Sequence, residues 1–156
     1  RSRYFIDAFF QKPEPACLLL VHPDIQRLRQ VEQRIFAEYL IDCLHIGEGL
    51  SSALFNAPQS QRARAARQWL ESSLREKAPG PILCSEIDLL FQPSFHIDPL
   101  FVFRQISRFT RLLILWPGTC DAGVLAYAVP EHQHYCAWRQ PQAALMDLRG
   151  VSDALS

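Results

Sequence analysis

The stretch "PILCSEIDLLFQP", residues 81–93, decides which fold the sequence predicts. Residues 82–85 are apolar or small, a run typical of a short strand that is buried on both faces. Glu86 follows this run directly, and Asp88 stands two positions further on. Many nucleotide hydrolases use acidic residues at the end of a buried strand to hold Mg²⁺ and to position water. The stretch therefore poses the question of whether this chain binds and hydrolyses a nucleotide.

Similar apolar runs recur on both sides of this stretch and alternate with segments of helical periodicity. The runs that predict strands occupy residues 16–22, 39–46, 81–85, 111–118 and 123–130, with an edge strand at 134–138. Apolar residues at spacings of three and four predict helices at residues 25–35, 48–55, 61–77 and 98–107. Strands that alternate with helices form β-α-β units and a mostly parallel sheet. The predicted fold is a single three-layer α/β domain with a five-stranded sheet over residues 1–138, followed by a C-terminal tail at residues 139–156.

Composition and charge favour a cytoplasmic globular domain. The chain has 49% hydrophobic and 21% charged residues and a formal net charge of zero, so no overall charge attracts it to nucleic acid. No apolar run approaches the roughly 20 residues that a membrane-spanning helix needs. The five cysteines form no C-x-x-C pair, which fits a reducing compartment better than a disulfide framework. We therefore expect a cytoplasmic protein without a membrane partner.

The turn after the first predicted strand is the place where an α/β nucleotide-binding domain holds phosphate. A Walker A loop would supply G-x-x-x-x-G-K-[ST] there, so that backbone N–H groups surround the phosphates. This chain has His22, Pro23 and Asp24 at that position, with no glycine. Pro23 has no N–H to donate, and the Asp24 carboxylate would repel phosphate. The sequence therefore predicts that no nucleotide cofactor binds at this turn.

The end of the strand at residues 81–85 departs from a nucleotide site as well. Ser85 stands where a Walker B aspartate would hold the metal ion. Glu86 could take the place of a water-activating acid, but the simpler interpretation is that Glu86 and Asp88 begin a helix, where negative charge is favourable. We prefer the simpler interpretation. Trp116, at the end of the next strand, is expected to fill the emptied nucleotide pocket.

Several short motifs in the middle of the chain resemble one known family. They are "GxxLS" at residues 47–51, "IDLLF" at 87–91, "DPL" at 98–100, "SR" at 107–108, "WPGT" at 116–119 and "YAVPEHQHY" at 127–135. Together they resemble the small P-loop subunit of bacteriophage exclusion (BREX) defence systems, the family called BrxF. Members of that family usually carry a Walker A loop after the first strand and an aspartate at the end of the third, and this chain departs from both.

The resemblance implies a P-loop NTPase fold of the AAA-like type and a role in antiviral defence. Because both Walker positions are degenerate, we predict a non-catalytic accessory subunit that acts through protein–protein interaction with other subunits of a phage-defence complex, and that can form a homo-oligomer. Two alternatives remain open: an active ATP-hydrolysing subunit of the same system, and a nucleic-acid-binding adaptor. A direct role in nucleic-acid binding is disfavoured by the neutral net charge.

Two segments are candidate contact surfaces for such partners. Phe5, Phe9 and Phe10 belong to a short amphipathic segment at the start of the chain, which could instead simply cap the sheet. Arg104 and Arg108 lie one turn apart on a predicted helix and could reach a neighbouring subunit, although a solvated helix face is the simpler interpretation.

His132, His134 and Cys136 could form a zinc site or could be ordinary surface residues. Their spacing would place the three side chains on one face of a strand. The spacing matches no common zinc motif, so the sequence predicts no metal site here.

Overall fold

The computed structural model describes residues 2–129 and 131–150, which form an α/β domain around a mostly parallel sheet. The helices are α1 (Ser2–Phe10), α2 (Ile25–Tyr39), α3 (Ile46–Leu54), α4 (Arg62–Arg75) and α5 (Pro99–Ile106). The strands are β1 (Cys17–His22), β2 (Asp42–His45), β3 (Ile82–Ser85), β4 (Leu112–Asp121), β5 (Val124–Tyr127), β6 (Cys136–Arg139) and β7 (Ala144–Asp147). Five of the strands are parallel, in the order β2-β3-β4-β1-β7. The predicted α/β class and the mostly parallel sheet are confirmed.

The central strands are apolar on both faces because helices cover the sheet from both sides. Leu18, Leu20, Leu113 and Leu115 pack with α1 and α2. Their neighbours in the strands point the opposite way and pack with α3, α4 and α5. The result is the expected three-layer arrangement. No helix among residues 2–129 and 131–150 is long and apolar enough to cross a membrane.

The fifth parallel strand is β7, and the prediction that residues 123–130 supply it is wrong. Ala122 and Gly123 both have positive φ, 49° and 79°, and form a two-residue turn that pairs Asp121 with Val124. Such turns match the twist of a hairpin, so the chain reverses and β5 runs antiparallel to β4. β6 then continues the hairpin as the antiparallel partner of β5. Residue 130 lies outside the described residues.

The predicted boundary at residue 139 does not separate a tail from the domain. β7, within the predicted tail at residues 139–156, pairs with β1, and Leu148 is buried against the layer that contains α1 and α2. The apolar pattern of this part of the sequence is weak because β7 is a short strand whose side chains are only partly buried. Residues 151–156 of the predicted tail lie outside the described residues.

Helix α1 caps the sheet. Ile6 and Phe9 are 1% and 2% exposed and belong to the core on the α2 side. Arg111 fixes the end of the helix, since its guanidinium donates to the carbonyl oxygens of Phe9 at 2.7 Å and Lys12 at 2.6 Å. Of the two interpretations of the first segment, the structure therefore shows the one in which α1 covers the sheet.

Candidate functional site

The turn between β1 and α2 uses its own polar groups to begin the helix. The Asp24 carboxylate accepts a hydrogen bond from the Gln26 N–H at 2.9 Å, and the Asp24 N–H donates to His22 Nδ1 at 2.9 Å. Asp24 is thus an N-cap, and its side chain occupies the position at the helix start where a phosphate oxygen would bind. Partial burial lowers the pKa of His22, which fits a neutral ring whose Nδ1 accepts.

The end of β3 leaves its polar groups less satisfied. Ser85 is 4% exposed, and its Oγ has no hydrogen-bond partner among the described residues. Glu86 adopts a left-handed backbone conformation, with φ 56° and ψ 49°. A residue with a Cβ is disfavoured in this region of φ and ψ, and such residues concentrate at functional sites. The Glu86 carboxylate accepts a hydrogen bond from the Glu48 N–H at 3.2 Å.

A 3-10 helix, Ile87–Phe91, follows Glu86 and carries Asp88 in its first turn. This agrees with the interpretation that the two acids begin a helix. Tyr127 donates its hydroxyl proton to Asp88 Oδ1 at 2.8 Å, and its ring stacks on Phe91 with centroids 3.7 Å apart. Burial, together with the Asp88 carboxylate, raises the pKa of Tyr127, so the phenol remains a donor. Asp88 is therefore held in one orientation.

The sequence suggested that Trp116 fills the emptied nucleotide pocket beside the β1–α2 turn. The structure places its side chain elsewhere. Its side chain is buried on the sheet face that packs against α3, α4 and α5, because alternate residues of a strand point to opposite faces. The indole N–H donates to the Ala126 carbonyl oxygen at 3.0 Å, and the ring contacts Phe91 and Trp138. Helix α2 lies on the other face, beside Leu115.

The histidine and cysteine residues considered for zinc do not share a strand face. Cys136 begins β6, whereas His132 and His134 lie in the preceding turn, where the His134 N–H donates to His132 Nδ1 at 3.0 Å. Over residues 2–129 and 131–150, no group of three or more His, Cys, Asp or Glu side chains is arranged to hold a metal ion.

The candidate contact residues fall into buried and exposed groups. Phe9 is a core residue and cannot meet a partner, while Phe10 packs edge-on against Tyr39 and Phe5 is 46% exposed. Arg104 donates to Gln142 Oε1 at 2.9 Å. Arg108 is exposed but follows α5, which ends at Ile106, so the two arginines do not share a continuous helix face.

A cavity of about 100 Å³ brings the predicted Walker B residues together with helix α2. Ser85, Glu86 and Asp88 form one side of it. The other side is formed by the first two turns of α2, from Ile25 to Glu32, whereas His22 and Asp24 do not line the cavity. Glu86 also borders two wider grooves of about 400 and 460 Å³. The end of β3 therefore lines open space at this edge of the sheet.

Sequence reasoning missed Arg29 and Glu32, the charged residues that α2 contributes to the cavity. Arg29 lies four residues after Ile25, and Glu32 lies four residues after Leu28, so each shares a helix face with an apolar residue. This spacing was the sequence feature that could have pointed to them. Glu32 is fixed by His45, whose Nε2 lies 2.7 Å from Glu32 Oε2.

Comparison with protein-family models, curated proteins and solved structures yields no match to this chain.

Proposed function

We propose that the chain is a P-loop-like subunit that does not use a nucleotide and acts through contacts with other protein chains. On the resemblance of its motifs, we assign it to a BREX-like phage-defence complex in the bacterial cytoplasm. The single observation that carries the first part is the self-capped β1–α2 turn, in which the Asp24 carboxylate occupies the helix start.

The sheet supports a P-loop-like origin of the fold. A nucleotide site of this kind needs its phosphate loop and its metal-binding acid to meet at one edge of a parallel sheet. The β1–α2 turn follows the carboxyl end of β1, Ser85 is the last residue of the parallel strand β3, and only β4 separates the two strands. The chain thus keeps the two positions of a P-loop site and replaces the groups that such a site requires.

Two replacements argue against catalysis. At the first position, Pro23 and Asp24 supply neither the glycine loop nor the lysine that would contact the phosphates. At the second, the Ser85 hydroxyl replaces a metal-binding carboxylate. Removing one group that stabilises a transition state commonly slows a reaction by about 10²–10³-fold, so the loss of several leaves no basis for efficient hydrolysis.

Three of the motifs behind the family resemblance contribute residues to the region around the end of β3. Gly47 packs against Glu86 so closely that a Cβ on Gly47 would lie 3.2 Å from the Glu86 carbonyl oxygen. Phe91 of the "IDLLF" motif contacts the Trp116 ring of the "WPGT" motif edge-on, with centroids 5.4 Å apart. These contacts place parts of three of the motifs in or beside one packed region at the end of β3.

Exposed aromatic side chains support a role in protein contacts. Phe101 on α5 is 47% exposed, and Phe109 beyond the helix is also exposed. Arg104 follows Phe101 by three residues, and the exposed Arg108 precedes Phe109. Aromatic and arginine side chains are enriched in protein interfaces. We therefore place the partner surface at α5 and the turn that follows it.

Affinity purification of the tagged chain from its native host, followed by mass spectrometry, tests the proposal. We expect other defence-system subunits to co-purify with the wild type and to be lost from a Phe101→Ala/Arg108→Glu variant. A Phe55→Ala/Arg64→Glu variant changes the same residue types at other exposed positions and should retain them. Purification of the wild type without such subunits, or equal retention by both variants, would contradict the proposal.

A further inference from the structure

The cavity between α2, the carboxyl end of β3 and the middle of β4 has the size of a small organic group. Its volume is about 100 Å³, somewhat less than that of an engineered protein cavity of about 150 Å³ that binds benzene. Its apolar walls come from α2, from the 3-10 helix and from the middle of β4: Ile25, Leu28, Ile87, Leu115 and Pro117. A ligand that fits must therefore pair a small polar group with a short apolar part.

Ser85 points to a hydrogen-bonding ligand. It lines the cavity, it is 4% exposed, and its Oγ has no partner among the described residues. A buried hydroxyl without a partner is unfavourable, and native proteins keep few of them. The other two buried side-chain hydroxyls among the described residues do have partners: Ser107 donates to the Arg104 carbonyl oxygen at 2.9 Å, and Thr110 donates to the Leu74 carbonyl oxygen at 3.0 Å. The buried hydroxyl that lacks a partner, that of Ser85, therefore belongs to a residue that lines the cavity.

The charged side chains around the cavity favour a positively charged ligand. Three carboxylates, Glu32, Glu86 and Asp88, line the cavity against one guanidinium, Arg29, which leaves an excess of two negative charges. Each carboxylate is held by a hydrogen bond to one of its oxygens, from His45, Glu48 and Tyr127 respectively. The acceptors are thus oriented before any ligand arrives.

We propose that this cavity binds an alkylguanidinium group, with Ser85 Oγ and the carboxylates of Glu86 and Asp88 as acceptors. A guanidinium presents several donors in a plane and is more weakly hydrated than an ammonium, so it suits a partly apolar site with several fixed acceptors. The group could belong to a small guanidine compound or to an arginine side chain of a partner protein. The site goes beyond the proposed function, because it requires only the cavity and does not depend on the loss of nucleotide binding.

Titration of the ¹⁵N-labelled chain with methylguanidinium chloride, followed by NMR, tests the site. We expect saturable shifts at the amides of Leu28, Ser85, Glu86 and Asp88, and at least about fivefold weaker binding of methylammonium. Sodium chloride at the same ionic strength controls for screening. Absence of saturable shifts up to about 10 mM ligand, or shifts spread over the whole surface, would overturn the proposal.

Matched variants tie the binding to the named acceptors. Ser85→Ala and Glu86→Gln should each weaken methylguanidinium binding at least about fivefold, since each removes an acceptor or its charge. Glu76→Gln, the same change at an exposed position just after α4, should leave the affinity unchanged. Because Ser85→Ala removes a buried hydroxyl that has no partner, the variant should remain folded. Equal affinities across all four proteins would overturn the proposal.

A second ligand separates the two sources of the guanidinium. N-acetyl-arginine N′-methylamide carries the group on a peptide-like backbone. Binding at least as tight as that of methylguanidinium supports a partner side chain, and exclusion of the blocked arginine supports a small free compound. Binding of neither overturns the site while leaving the proposed function intact. Conversely, tight binding of Mg·ATP would contradict the proposed function without affecting the guanidinium result.

Discussion

The β1–α2 turn and the end of β3 lie at the same edge of the sheet but differ in how fully their polar groups are hydrogen-bonded. At the turn, Asp24 caps the helix and its N–H donates to His22, so the chain satisfies its own polar groups. At the end of β3, Ser85 Oγ has no described partner and Glu86 has a left-handed backbone. The difference indicates that the first region is satisfied by its own groups, whereas the second has an unpartnered hydroxyl and a strained backbone that the proposed ligand would account for.

The largest effect that this comparison predicts is at the turn. Asp24→Ala should lower the free energy of unfolding by about 1 kcal/mol, and by up to about 2 kcal/mol, because it removes the N-cap of α2. Chemical denaturation measures the change. Asp42→Ala, at an exposed position of β2 with no capping role, should cost less. A loss for Asp24→Ala no larger than that control would mean that the turn does not depend on its cap.

Ser85→Ala should have the opposite sign. Removing a buried hydroxyl that lacks a partner should raise the free energy of unfolding by about 1 kcal/mol or less in the free protein. Thr110→Val provides the contrast, since the Thr110 hydroxyl donates to the Leu74 carbonyl oxygen, and its loss should destabilise by about 1–3 kcal/mol. Equal destabilisation of the two variants in thermal unfolding would remove the distinction between the two hydroxyls.

Glu86→Gly should stabilise the chain slightly, by roughly 0.5 kcal/mol, because glycine adopts the left-handed region without steric conflict. The gain is small because the variant also loses the hydrogen bond from the Glu48 N–H. Glu76→Gly, at a right-handed helical position, should instead destabilise by a similar amount. Melting temperatures of the two variants compare them directly. A clear loss for Glu86→Gly would show that the Glu86 side chain outweighs its backbone strain.

The smallest predicted effect is a pH dependence at the turn. Because burial lowers the pKa of folded His22, the unfolded chain takes up this proton more readily. The stabilising contribution is complete above the unfolded value of about 6.5 and is lost as the pH falls through the lowered folded pKa. Melting temperatures between about pH 8 and 5 should therefore decline less in His22→Asn than in the wild type. If the melting temperatures of both proteins change equally with pH, protonation of His22 does not contribute to the pH dependence of stability.

Local signals in the sequence predicted the parts of the fold that depend on neighbouring residues. The helix predicted at residues 98–107 is α5, with Asp98 as its N-cap, and the buried strand predicted at residues 81–85 is β3. The exchange of β5 for β7 was not predicted, because β7 has only four partly buried residues and its place depends on pairing with a distant strand.

The candidate site was predictable only in part, for the same reason. Ser85, Glu86 and Asp88 stood out because they follow an apolar run. The left-handed backbone of Glu86 and the missing partner of Ser85 Oγ depend on how the layers pack, which the sequence pattern does not report. Arg29 and Glu32 reach the cavity because α2 packs beside the end of β3 and the middle of β4, a tertiary relation that the sequence pattern does not report.

The most direct test of the central claim is isothermal titration of the purified chain with Mg·ATP, combined with a phosphate-release assay. The account predicts no binding up to about 1 mM and no turnover above that of a buffer control, because the β1–α2 turn is capped by Asp24 and Ser85 replaces the metal-binding acid. Micromolar binding of Mg·ATP, or turnover that Glu86→Gln abolishes, would contradict it.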